Sequence, residues 1–146
     1  MGFHRDTMIL TNTGAKKASD VQVGDLLNCS GNIAAFLGQV SQINISRSTL
    51  RGLRFSCRNP NTLQTYTFDV TEDHFCLPLG ERRFDIFKRA IAIVNQDFFT
   101  DGAAFCRITN IQPIELRGSY YFMVSTALGV PPPPICFGNG IKIGTV

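Results

Sequence analysis

Tryptophan is absent and histidine occurs only as His4 and His74. Two histidines so far apart make a poor metal site. No Gly-x-Ser-x-Gly elbow is present, so conventional Ser-His-Asp and metal hydrolases have no support. Charge is scarce, at 17% of residues with a net +3, and the basic residues cluster no further than the doublets Lys16-Lys17, Arg82-Arg83 and Lys88-Arg89. No nucleic-acid partner is expected from so thin a basic footprint. No apolar run is long enough to span a bilayer and no signal peptide opens the chain, so no membrane partner is expected either. Met1-Gly2 begins like an N-myristoylation site, but Asp6 stands where that motif needs Ser or Thr. The five cysteines, at 29, 57, 76, 106 and 136, form no Cys-x-x-Cys pair, and their number is odd. A zinc site or a disulfide framework would look different. They read as buried thiols, which leans towards an intracellular compartment and leaves localisation otherwise open.

The 146 residues suit one domain with one core, taken as residues 2–146. Short β runs dominate: residues 8–10, 38–45, 53–56, 66–70 and 107–111 alternate or are β-branched. Turn residues separate them at Asn12-Thr-Gly14, Ser30-Gly-Asn32, Asn59-Pro-Asn61 and Thr100-Asp-Gly102. Only residues 82–94 could be helical, and the Ile91-Ala-Ile93 end reads equally well as strand. The pattern predicts an all-β chain, with strands too frequent for a βαβ fold. The stretch Val130-Pro-Pro-Pro-Pro-Ile135 reads as a rigid surface connection, or as a ligand for proline-reading domains.

The chain also repeats itself. Lys17-Ala-Ser-Asp-Val-Gln-Val-Gly-Asp25 aligns with Arg89-Ala-Ile-Ala-Ile-Val-Asn-Gln-Asp97, then Ala34-Ala-Phe36 with Ala103-Ala-Phe105. Val40-Ser-Gln-Ile43 follows against Ile108-Thr-Asn-Ile111, and Thr65-Tyr-Thr-Phe-Asp-Val-Thr71 against Ser119-Tyr-Tyr-Phe-Met-Val-Ser125. Two copies are too few for a solenoid and fit two related β halves that bury one core between them.

Several segments, in order, carry a family resemblance. Gly2-Phe3 is followed by Asp6-Thr7 and the strand Met8-Ile-Leu; then come Asp20-Val-Gln-Val-Gly-Asp25, Thr71-Glu-Asp-His74, and Cys136-Phe-Gly-Asn139-Gly140-Ile141-Lys-Ile-Gly144-Thr145. The set resembles the Hint superfamily of self-processing domains: inteins, bacterial-intein-like domains and the processing domain of hedgehog proteins. The match runs from residue 2 to 145. It implies two pseudo-twofold-related β subdomains in a flattened horseshoe, with both chain ends meeting in the middle. No cofactor is implied. The partners implied are the domain's own flanking polypeptides and an external thiol, amine or water as acyl acceptor. The length leaves no room for a homing nuclease.

By that resemblance the first residue's side chain attacks the carbonyl before it, moving the upstream chain onto sulfur or oxygen. His74 is the general acid that protonates the leaving nitrogen. Thr71 holds the scissile peptide and stabilises the oxyanion. Positions 71 and 74 of a straight strand face opposite ways, so the segment must turn after Thr71, with Glu72 and Asp73 as the turn residues.

The sequence also departs from the family. Gly2 occupies the nucleophile position without a side chain, so the acyl shift cannot begin there. The preferred account is an engineered Cys→Gly change that traps the uncut state, because a chain that keeps Thr71 and His74 is expected to keep their purpose. Natural loss of cleavage is the competing account. Gly144-Thr145 stands where splicing requires His-Asn, Tyr121 where inteins place an Asp, and Leu128 is the second-half counterpart of His74. N-terminal cleavage or transfer is therefore the expected activity type, inactivated as written. The alternative is a catalytically dead β domain serving as a structural or protein-binding module.

Overall fold

The computed structural model describes residues 1–30, 35–78, 88–100, 105–125 and 135–144. In chain order the strands are β1 (Met8–Thr11), β2 (Gly14–Lys17), β3 (Leu26–Ser30), β4 (Ala35–Arg58), β5 (Thr65–Thr71), β6 (Phe75–Cys76), β7 (Lys88–Arg89), β8 (Phe98–Thr100), β9 (Phe105–Ser125), β10 (Ile135–Gly138) and β11 (Ile141–Gly144). Two 3-10 turns, Ala18–Asp20 and Ala90–Ala92, complete the list, and the described residues contain no α-helix. The helix considered for residues 82–94 does not form over its described part, which is strand β7 followed by a 3-10 turn. There the Ala90 N–H is taken by the His74 carbonyl and the Ile91 N–H by the Glu72 carbonyl, so these donors go to another segment and only the single turn closed by the Ile93 N–H on the Ala90 carbonyl remains local. The tetraproline stretch and Leu128 lie outside the described residues.

The runs at 38–45 and 53–56 are parts of one strand, β4, because a strand can continue across polar residues wherever its neighbour supplies a ladder. That neighbour is β9, antiparallel to β4 from Gln39↔Ser125 to Arg58↔Arg107. The sheet runs β7-β6-β11-β10-β1-β3-β4-β9-β8, with β2 on β1 and β5 on β4. Its apolar face carries an aromatic cluster: Phe55 stacks on Phe68 at 5.2 Å, and Phe99 meets both rings edge-on. Each is buried. Removing such a ring from water contributes about 1.5–3 kcal/mol.

The internal repeat is real in three dimensions. Asp25 accepts from the Gln22 N–H and from Lys16 Nζ, both at 2.8 Å. Asp97 accepts from the Val94 N–H at 3.2 Å and from Lys88 Nζ at 3.3 Å. Strand registers repeat with them: Met8↔Lys17 and Ile9↔Lys16 in the first half, Phe75↔Arg89 and Cys76↔Lys88 in the second. The halves meet where Phe3 bridges Val70 and Tyr120. There the exchange is reciprocal: the His4 N–H bonds the Asp69 carbonyl at 3.0 Å, and the Thr71 N–H bonds the Gly2 carbonyl at 2.9 Å.

Candidate functional site

The turn demanded by Thr71-x-x-His74 is present. β5 ends at Thr71, and the His74 N–H returns to the Thr71 carbonyl at 3.1 Å. The same turn exists in the first half, where the Thr7 N–H returns to the His4 carbonyl at 3.0 Å. Each turn then anchors its following 3-10 segment: Ala18 N–H bonds the Thr7 carbonyl and Ala90 N–H the His74 carbonyl, both at 2.8 Å. Thr7 and His74 are thus structural counterparts, a relation hidden in the sequence because the two residues share no chemistry.

This turn lies against the start of the chain. Gly2 is buried and its carbonyl is bonded by Thr71. His74 is fully buried, its ring edge-on to Phe3 at 5.6 Å and to Tyr121 at 5.8 Å. Thr71 is also buried, and its hydroxyl donates to Asp73 Oδ1 at 2.7 Å. Asp73 Oδ2 meets the terminal ammonium of Met1 at 3.2 Å. Partial burial works against the charged Asp73 carboxylate, but the Thr71 hydroxyl and the Met1 ammonium outweigh it and hold its pKa below the usual aspartate range. Asp73 thus closes the turn and ties it to residue 1.

The far end of the chain reaches the same place. β11 pairs with β6 through Ile143↔Cys76, two residues beyond His74, which puts Gly144 at the edge of this region. Thr145 lies outside the described residues. The structure therefore brings Gly2, Thr71, Asp73 and His74 together, with Gly144 on the neighbouring strand. Tyr121, singled out as a departure from the intein pattern, packs on the histidine itself.

One residue of the site escaped the sequence reading. Ser119 is 1% exposed, and its Oγ finds no hydrogen-bond partner among the described residues. A Cβ placed on Gly2 would lie 2.8 Å from Ser119 Cβ and 3.0 Å from Ser119 Oγ. The available signal was Gly118, since a glycine inside a strand marks a bulge or a close approach.

No protein-family model matches this sequence, and no curated protein sequence matches it significantly. Solved structures do share the fold over nearly the whole chain. A bacterial intein-like domain from Clostridium thermocellum aligns at a TM-score of 0.77 and 16% identity, covering 99% of this chain and 98% of that one. The gp41-1 intein aligns at 0.71 and 15% identity, covering 97% and 96%. The DnaX mini intein from Spirulina platensis aligns at 0.70 and 12% identity, covering 98% of each chain. The chain is mostly β-strand and has the fold of inteins and bacterial-intein-like domains, the Hint fold.

Proposed function

We propose that this domain is a self-processing module directed at the peptide bond before Gly2, of the cleavage or transfer type, whose family nucleophile position is vacated by glycine. One observation supports it above the others: the Thr71–His74 turn is held against residues 1–3 by the Thr71–Gly2 backbone bond and the Phe3–His74 ring contact. A buried histidine beside a scissile amide is suited to protonate its nitrogen as the bond breaks. Thr71 and Asp73 fix the turn; the upstream polypeptide is the acyl group that is transferred, and the Gly2 nitrogen is the leaving group. An external thiol, amine or water accepts the acyl group. The missing His-Asn pair at Gly144-Thr145 argues against full splicing.

The test is the intact mass of a fusion carrying a small protein upstream of Gly2→Cys, with and without dithiothreitol. Ser119 Cβ crowds position 2, so the Gly2→Cys/Ser119→Gly double variant accompanies the single one. Thiol-dependent release of the upstream protein is expected, and His74→Ala should slow it by about 10²–10⁴-fold, the range for losing a general acid. A folded fusion that stays whole in both backgrounds would remove the processing reading.

A second reading, a non-catalytic β module on the same scaffold, is favoured by a specific observation. The Thr71 hydroxyl is already committed to Asp73, which takes it away from an oxyanion role. The same mass measurement separates the two.

A further inference from the structure

The space that a side chain at position 2 would occupy is filled by Ser119. Its Oγ lies 3.0 Å from where the Gly2 Cβ would stand, in contact with the space a side chain there would take and beside the peptide unit that precedes Gly2. Buried hydroxyls are nearly always hydrogen-bonded, and one that is not asks for a role. The backbone around Ser119 is also shaped to aim it. Ser119 pairs with Ser46, but the next pair is Arg117 with Thr49, so β4 carries a bulge beside this pair. Gly118 has φ of +81°, a conformation that other residues rarely adopt. Bulges next to active sites serve to redirect a side chain.

We propose that Ser119 supplies the nucleophilic hydroxyl that Gly2 lacks, acting on the peptide bond that joins an upstream polypeptide to Gly2. The inference rests on the self-processing reading above. Ser119 Oγ attacks the carbonyl carbon of the residue before Gly2, forming a C–O bond. The C–N bond breaks, and the Gly2 nitrogen leaves as an amine. The proton lost by Oγ equals the one the nitrogen gains, with His74 as the carrier on the nitrogen side. The upstream chain is then an ester on Ser119. Water opens it, giving a carboxylic acid and restoring the serine, so the net reaction is hydrolysis of one peptide bond.

The experiment keeps Gly2 and fuses a small protein upstream, incubates with hydroxylamine, and reads intact mass, with near-ultraviolet circular dichroism as the check on folding. The expected result is an upstream fragment ending in a hydroxamate, reduced at least tenfold by Ser119→Ala. Ser119→Cys should make release respond to dithiothreitol. Undiminished release in Ser119→Ala would overturn the assignment. So would silence of both the Gly2 protein and Ser119→Cys while Gly2→Cys/Ser119→Gly releases, a result that leaves the processing reading standing. Silence of all of them would overturn both.

Discussion

Asp73 joins the Thr71–His74 turn to the first residue through a hydroxyl and an ammonium, and the two contacts respond differently to change. The ammonium exists only while residue 1 has a free amine. Extending the chain upstream converts it to an amide, so the Asp73 pKa should move back up towards the ordinary range in a fusion, as carboxyl NMR titration would read. The depressed carboxyl also links to stability. A carboxyl whose folded pKa lies below its unfolded one stabilises the protein above the unfolded pKa and loses that contribution as pH falls through the folded one. Asp73→Asn should therefore lower stability at pH 7 and match the parent once the medium is more acidic than the folded pKa. The Asp73 side chain is 50% exposed, so the difference at pH 7 should be about 0.5 kcal/mol in urea unfolding.

Among the elements, the β10–β11 hairpin shows how a local sequence signal is turned to tertiary use. Asn139 and Gly140 have φ of 50° and 83°, the mirror-type turn that suits a two-residue hairpin, and Asn-Gly is its strongest sequence signature. Asn139 then reaches out of the hairpin: its Oδ1 accepts the Met8 N–H and its Nδ2 donates to the Thr67 carbonyl, both at 2.7 Å. The hairpin thus ties β1 to β5, in the neighbourhood of the site. Gly140→Ala meets two penalties, the left-handed backbone and a Cβ 2.9 Å from the Tyr66 ring. It should cost about 1–2 kcal/mol, seen as a lower urea midpoint with unchanged slope. The 3-10 turns were less legible. Ala90–Ala92 lies in an apolar stretch with no cap residue, and it forms because His74 and Glu72 supply carbonyls from another segment.

Across the whole molecule, the apolar face shared by both halves shields its thiols. Burial pushes the Cys29 thiol up to about 11 and the Cys57 thiol up to about 12, and raises Cys76 still further. Thiolate is the reactive form, so these cysteines should be silent to Ellman's reagent at pH 8 in the native protein and react in denaturant. Fast native labelling would show that the core opens readily. The all-β class, the two-copy plan and the Thr71–His74 turn were all legible in the sequence. Their signals are local: strand alternation has a period of two residues, and the Lys–Asp clasp of each half closes within ten. The partners of the site were not legible. Ser119 against Gly2 and Tyr121 against His74 are contacts between the start of the chain, its middle and β9, and their register is set by the bulge between Ser46 and Thr49. A shift of one residue there would turn every following side chain to the other face. Propensity and pattern thus set the strands and turns, whereas a long-range register, summed along two strands of more than twenty residues each, placed the Ser119 hydroxyl against Gly2.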